Sequence, residues 1–160
     1  MEQLTLFIIT WLLLFIIVPL ERIKELRYVA VVSIVWMIFV DNISAYLGYY
    51  SYEHILIPIG RASLFQLLAL AGLGILMINW VEESSLSKLM PVLIVSLLFL
   101  IVQQIYIQTG AFTYGTFDMM LSFIHSTAAL SIFMWISLAV VGEETVYYSD
   151  KKTRKSASKQ

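Results

Sequence analysis

Asp41 and His125 are the residues of this chain whose types and surroundings point most directly to chemistry. Asp41 stands inside the apolar run from Tyr28 to Leu47, and His125 inside the run from about Met119 to Val141. Both can ionise, and an aspartate beside a histidine can hold a proton or orient a hydroxyl group. A carboxylate in hydrocarbon costs ~3 kcal/mol on insertion scales, so Asp41 is expected to face a bundle interior. Asn42, Gln66, Gln103 and Gln104 bring amides to a similar depth. Asp118, Ser122, His125 and Ser126 recur at spacings of three and four, which puts them on one helix face as a polar stripe. Asp41, Asn42, Gln66, Gln103, Gln104, Ser122 and His125 are therefore the candidate lining of a polar pocket, with Tyr46, Tyr49, Tyr50, Tyr52, Phe112 and Tyr114 as its roof. The competing use of the amides is plain helix-to-helix hydrogen bonding, worth about 0.6 kcal/mol each in membranes.

Other chemistries lack their residues. There is no glycine-rich phosphate loop followed by lysine, no His-Glu-x-x-His and no Gly-x-Ser-x-Gly. The chain has no cysteine and two histidines, one of them in a loop, so neither a metal site nor a cofactor is expected. No catalytic residue is assigned. Glu53, His54 and Arg61 read as loop polarity, with an anionic headgroup at the pocket mouth as their other use.

The elements that must position these groups follow from composition. Of 160 residues, 60% are hydrophobic and 13% charged, which places the chain in a bilayer. A core of roughly 30 Å needs about 20 apolar residues per helix, and the runs divide the chain into five spans, about 4–20, 28–47, 62–81, 89–107 and 119–141. The expected fold is an all-α integral membrane bundle of five helices, a single domain over 1–141, followed by a basic, disordered cytoplasmic tail over 142–160. With the amino terminus outside, nine of the ten Lys and Arg residues lie inside and only Arg61 outside, which fixes the carboxyl terminus inside. At a rise of about 1.5 Å per residue, Asp41 lies about 6 to 10 Å below the outer end of its helix.

A pattern repeats sixty-two positions apart: Val40-Asp41-Asn42-Ile43 then Gly48-Tyr49-Tyr50-Ser51-Tyr52, and Val102-Gln103-Gln104-Ile105 then Gly110-Ala111-Phe112-Thr113-Tyr114. It suggests a duplicated helix-loop-helix unit with both aromatic loops on the outer side. Ala69, Ala71, Gly72 and Gly74 allow close backbone approach in span three, for internal packing or for a homodimer seam. The basic tail suits anionic inner-leaflet lipid, and no nucleic-acid partner is expected.

The order Asp41, Gly48-Tyr49-Tyr50-Ser51-Tyr52, Pro58 and a second Gly-x-aromatic-x-Tyr loop resembles a family of small uncharacterised multi-spanning bacterial membrane proteins, frequent in spore-forming Gram-positive lineages, from about Glu21 to Val141. More distantly it is similar to the membrane domain of heterodimeric lycopene cyclases. Those enzymes carry a Pro-x-Glu-Glu type motif where this chain has Pro58-Ile59-Gly60-Arg61. The expected function is a non-catalytic protein of the bacterial plasma membrane that binds a lipid, an isoprenoid or a partner membrane protein through the outer pocket. The alternative is an isoprenoid- or lipid-modifying enzyme or small transporter using Asp41 and His125.

Overall fold

The computed structural model describes residues 1–147, and they are mostly helical. The helices are α1 (Glu2–Ile17), α2 (Leu20–Glu25), α3 (Arg27–Tyr46), α4 (Leu64–Asn79), α5 (Ser85–Gln108) and α6 (Met119–Val141). Short strands β1 (Tyr50–Tyr52), β2 (Pro58–Ile59), β3 (Ala62–Ser63) and β4 (Phe112–Tyr114) lie in the connections at one end, called the loop end below. Helices α3, α5 and α6 are long and apolar enough to cross a membrane; α1 and α4 are apolar but shorter.

Local sequence explains where the helices depart from the apolar runs. The first run continues to Leu20, yet α1 stops at Ile17. Val18 precedes Pro19, whose ring disfavours helical backbone in the residue before it, and Val18 is extended at φ −110 and ψ 123. The third run starts at Ala62, but Ala62 and Ser63 pair with Ile59 and Pro58 around the two-residue turn Gly60-Arg61, so α4 begins only at Leu64. Conversely α5 starts four residues before its run. Ser84 caps it, the side-chain oxygen accepting the Ser87 N–H at 3.1 Å, so the polar connection becomes the helix's first turn.

Helix α4 is central, with eleven of its sixteen residues buried. It packs most extensively on α1 and α3, while α6 bridges α3 and α5. The first apolar run thus belongs to the bundle: Trp11 donates its indole N–H to the Leu68 carbonyl at 2.9 Å. The small residues of α4 are spent on these contacts. A Cβ on Gly72 would meet Thr10 Cγ2 at 2.9 Å, and one on Gly74 would meet Phe133 Cζ at 2.8 Å. The larger apolar core, including Leu14, Val29, Ile75, Met77, Val92 and Phe133, fills the half away from the loop end.

At that far end Arg22 acts as a clamp. Its guanidinium donates to the carbonyls of Thr145 and Val146, each at 2.8 Å, and pairs with Glu25 at 3.0 Å, while Nε reaches Asn79 Oδ1 at 3.4 Å. The sequence reading starts the tail at Gly142. Residues 143–147 are helical, with Val146 and Tyr147 buried, and the tail's lysines and Arg154 lie outside the described residues.

The exits from α3 and α5 follow one scheme. Gly48 and Gly110 both take φ +72, the left-handed conformation that glycine adopts without steric cost. The Tyr49 N–H bonds the Ser44 carbonyl at 2.9 Å, and Ala111 N–H bonds that of Tyr106 at 2.7 Å, again sixty-two residues on. The strands that follow pair with each other antiparallel: Tyr50 faces Tyr114, Ser51 faces Thr113 and Tyr52 faces Phe112.

Candidate functional site

Beneath the β1–β4 ribbon, α3, α4, α5 and α6 enclose a small chamber. Asp41 enters it from α3, Gln66 from α4, Gln103 and Tyr106 from α5, and His125 and Ser126 from α6; Tyr50 and Tyr52 descend from β1. Met37, Leu70, Phe99 and Leu130 supply apolar wall. The free volume is about 40 Å³, room for roughly two or three water molecules. This is a site for a small polar group rather than for a hydrocarbon chain.

Helical geometry selects who enters. Asp41 and Ser44 are three residues apart on α3, and Gln103 and Tyr106 are three apart at the corresponding positions of α5, so each pair shares a face. Asn42 and Gln104 are each turned about 100° from their neighbour and do not line the chamber. Asn42 instead anchors the β2–β3 hairpin: its Oδ1 accepts the Arg61 N–H at 2.8 Å, and its Nδ2 donates to the Ile38 carbonyl at 2.8 Å. Gln104 lies beside the Tyr114 hydroxyl.

The polar atoms form short chains. Tyr50 donates to Asp41 Oδ1 at 2.8 Å. Tyr106 donates to Gln66 Oε1 at 3.4 Å, and Gln66 Nε2 donates to the Tyr52 hydroxyl at 3.4 Å. Ser122 sits behind the wall and donates to Gln103 Oε1 at 2.8 Å, where Tyr114 also donates at 3.3 Å. The second carboxylate oxygen, Asp41 Oδ2, is buried with no partner, on a residue only 2% exposed. His125 Nε2 lies 3.1 Å from Ser44 Oγ. Asp41 and His125 therefore share a chamber but take separate partners, where the sequence suggests a direct pair. Asp118, the top of the expected stripe, caps α6 by accepting the Leu121 N–H at 2.8 Å.

The roof is an aromatic stack. Phe112, almost wholly buried, packs on Tyr50 and Tyr52 at 5.4 Å between ring centroids and on Tyr114 at 5.2 Å. Tyr49 stacks on Phe117 at 4.2 Å, and Phe117 meets His125 edge-on at 5.4 Å. Contacts of this kind contribute about 0.5–1.5 kcal/mol each beyond area burial. Tyr46 is 82% exposed and takes no part in the roof. Burial, and then the nearby Asp41 carboxylate, push the Tyr50 and Tyr52 hydroxyls well above the usual phenol range; burial likewise raises Tyr114. Tyr50 therefore remains a hydrogen-bond donor to Asp41 at neutral pH.

Two participants escape a reading for polar residues inside apolar runs. Tyr106 and Ser44 are not among the candidates that the sequence offers. The repeat carries the missing signal: Ser44 and Tyr106 are sixty-two positions apart and stand three residues after Asp41 and Gln103. Among the described residues no group of three or more His, Cys, Asp or Glu could hold a metal ion.

The class defined by fold and site is a helical bundle with an apolar exterior and a small polar chamber at one end. The chain matches no family model, no curated protein and no solved structure.

Proposed function

We propose that this chain is a non-catalytic integral protein of the bacterial plasma membrane that binds the polar end of a lipid or isoprenoid in the chamber beneath the β1–β4 ribbon. The single observation that carries the reading is that Asp41, a residue of the chamber lining, keeps one buried carboxylate oxygen, Oδ2, without a partner. A buried polar atom without a partner costs about 1–3 kcal/mol, and a ligand that fills the chamber removes that cost.

The membrane setting rests on an inverted polarity. Ile8, Leu12, Phe15, Val35, Phe39, Leu97, Ile101 and Trp135 are exposed, while Ser33, Asp41, Gln66, Ser96, Gln103 and Ser137 are buried. Such an arrangement suits a lipid solvent and would leave a large sticky surface in water. Helices α1, α3, α4, α5 and α6 are the five spans in this reading, with the loop end outside and the Arg22 end inside, as the basic residues favour. Two duplicated units, α3 with α4 and α5 with α6, lie parallel. Equivalent glycine exits and the Ser51–Thr113 pairing support a local two-fold axis along the membrane normal through the ribbon.

A lipid tail stays outside the bundle in this scheme, because the chamber admits only a terminal polar group. A polyene cyclase reading gains no support: Gly60 and Arg61 form a hairpin turn where the acidic pair would stand. The test is mass spectrometry of molecules retained by the purified protein, wild type against Asp41→Asn with both shown to be folded. One lipid or isoprenoid species retained by the wild type and lost from the variant is the expected result. Bulk phospholipid alone in both samples would favour a scaffold whose polar layer only joins helices.

A further inference from the structure

At the Arg22 end of the bundle, away from the chamber, α5 and α6 leave a groove on the exterior of the protein. Ser85, Lys88, Leu89 and Val92 line it from α5, at spacings of three and four that keep them on one helix face. Ser131, Trp135 and Leu138 line it from α6 with the same periodicity. The free volume is about 220 Å³, against about 40 Å³ in the chamber, so the groove admits a length of hydrocarbon where the chamber does not.

Polarity is graded along the groove. Ser85 and Lys88 stand at its mouth in the first turn of α5, and Val92 lies one turn further in. Ser131, also further in, donates its hydroxyl to the Thr127 carbonyl at 2.7 Å. The polar groups still open are therefore at the mouth and the remainder is apolar, which is the profile of a phospholipid rather than of a soluble anion.

The Lys88 ammonium is held at that mouth. Its Nζ lies 5.8 Å from the Trp135 ring centroid and 5.3 Å from that of Tyr147, contacts that attract a cation. Tyr147 is fixed in turn by the Arg22 clamp, whose guanidinium holds the neighbouring Val146 carbonyl at 2.8 Å. Neither ion pair among the described residues involves Lys88; Glu83 and Glu143 act on it from beyond ion-pair distance. After Tyr147 the sequence carries Lys151, Lys152, Arg154, Lys155 and Lys159 against the single acid Asp150, so the charge that the chain adds after this point is positive. Trp135 is 65% exposed, an aromatic of the kind that sits at the headgroup level of a bilayer.

We propose that this groove binds one anionic phospholipid of the leaflet at the Arg22 end, with its phosphate on Lys88 and the start of an acyl chain along Leu89, Val92 and Leu138. Basic pockets between membrane helices are receptors of this kind. A choline or ethanolamine head brings its own cation to compete with Lys88 for the phosphate, whereas a glycerol head does not, which favours the anionic class. The site is separate from the chamber and shares with the reading above only the membrane setting.

The test is tryptophan fluorescence of the full-length protein in phosphatidylcholine nanodiscs that contain a small, equal fraction of either phosphatidylglycerol or phosphatidylcholine with brominated chains, since bromine quenches tryptophan on contact. The readout is the part of the quenching that disappears in Trp135→Phe. Brominated phosphatidylglycerol is expected to occupy the groove about fivefold more than brominated phosphatidylcholine, and Lys88→Gln is expected to abolish the preference. Neither Lys88 nor Trp135 is buried, and circular dichroism checks the fold of each variant. Equal quenching by the two lipids in the wild type would overturn the proposal without recourse to any variant. A preference that survives in folded Lys88→Gln would overturn it too. So would one equally large in Trp135→Phe, because it would trace to diffuse charge sensed by Trp80 at the same end.

Discussion

At the scale of single residues, Asp41 carries two separable roles, because its two oxygens have different surroundings. Oδ1 accepts the Tyr50 hydroxyl at 2.8 Å, while Oδ2 is buried without a partner. Asparagine keeps an acceptor for Tyr50 and removes the charge, so Asp41→Asn is expected to alter stability by less than about 1 kcal/mol while abolishing retention of the ligand. Tyr50→Phe does the reverse. It leaves both carboxylate oxygens without a donor and is expected to cost about 1–3 kcal/mol, read as a lower midpoint of thermal unfolding in detergent. Equal destabilisation by the two substitutions would mean that Asp41 serves structure alone. Sequence reading reached Asp41, Gln66, Gln103 and His125, which line one chamber, because a polar residue in an apolar run stands out by type. It also gathered Asn42 and Gln104, since depth along a helix is legible from position whereas the face is settled only by the neighbours packed around it.

At the scale of elements, the joint between the two loops decides whether the chamber has a roof. Gly48 and Gly115 lie against each other there, and they resist substitution for different reasons. A Cβ on Gly48 would stand in open space, so its cost comes from φ +72 alone and is expected to be about 1 kcal/mol for Gly48→Ala. A Cβ on Gly115 would run into the Gly48 carbonyl oxygen, a backbone atom that cannot swing aside. Gly115 N–H also bonds the Tyr49 carbonyl at 2.9 Å, so Gly115→Ala is expected to pull the ribbon apart and to cost more than Gly48→Ala. Unfolding midpoints of the two alanine variants check the order, and a Gly115→Ala protein as stable as Gly48→Ala would contradict the described joint. The repeated glycines and aromatics were visible in the sequence, but the pairing of β1 with β4 was not. Three-residue strands sixty-two positions apart have no periodicity to betray them, and their register depends on how α3 and α5 bring the loops together. Helix ends depart from the apolar runs where a local rule acts that hydropathy does not carry: the Pro19 ring stops α1 early, and the Ser84 cap extends α5 into polar sequence.

At the scale of the whole molecule, an apolar exterior around a polar layer gives the fold its meaning, and composition announced that much. Which apolar run packs on which was not legible, because lipid-facing and buried surfaces are both hydrocarbon; that α1 joins α4 depends on the depth that Gly72 leaves for Thr10 and Trp11. The orientation has a direct check, since the chain contains no cysteine and single-cysteine variants carry one thiol each. Ser51→Cys is expected to react with a membrane-impermeant maleimide on intact cells, and Ser85→Cys only after permeabilisation; the opposite pattern would invert the topology. The most direct measurement of the central claim is an experimental density map of the wild-type protein, purified from its own membrane without exchange of lipid. A non-protein group in hydrogen-bonding contact with Asp41 Oδ2, entering from the loop end, is expected. A chamber holding only water, or an Asp41 whose two oxygens are both bonded to protein groups, would contradict the assignment of a ligand site.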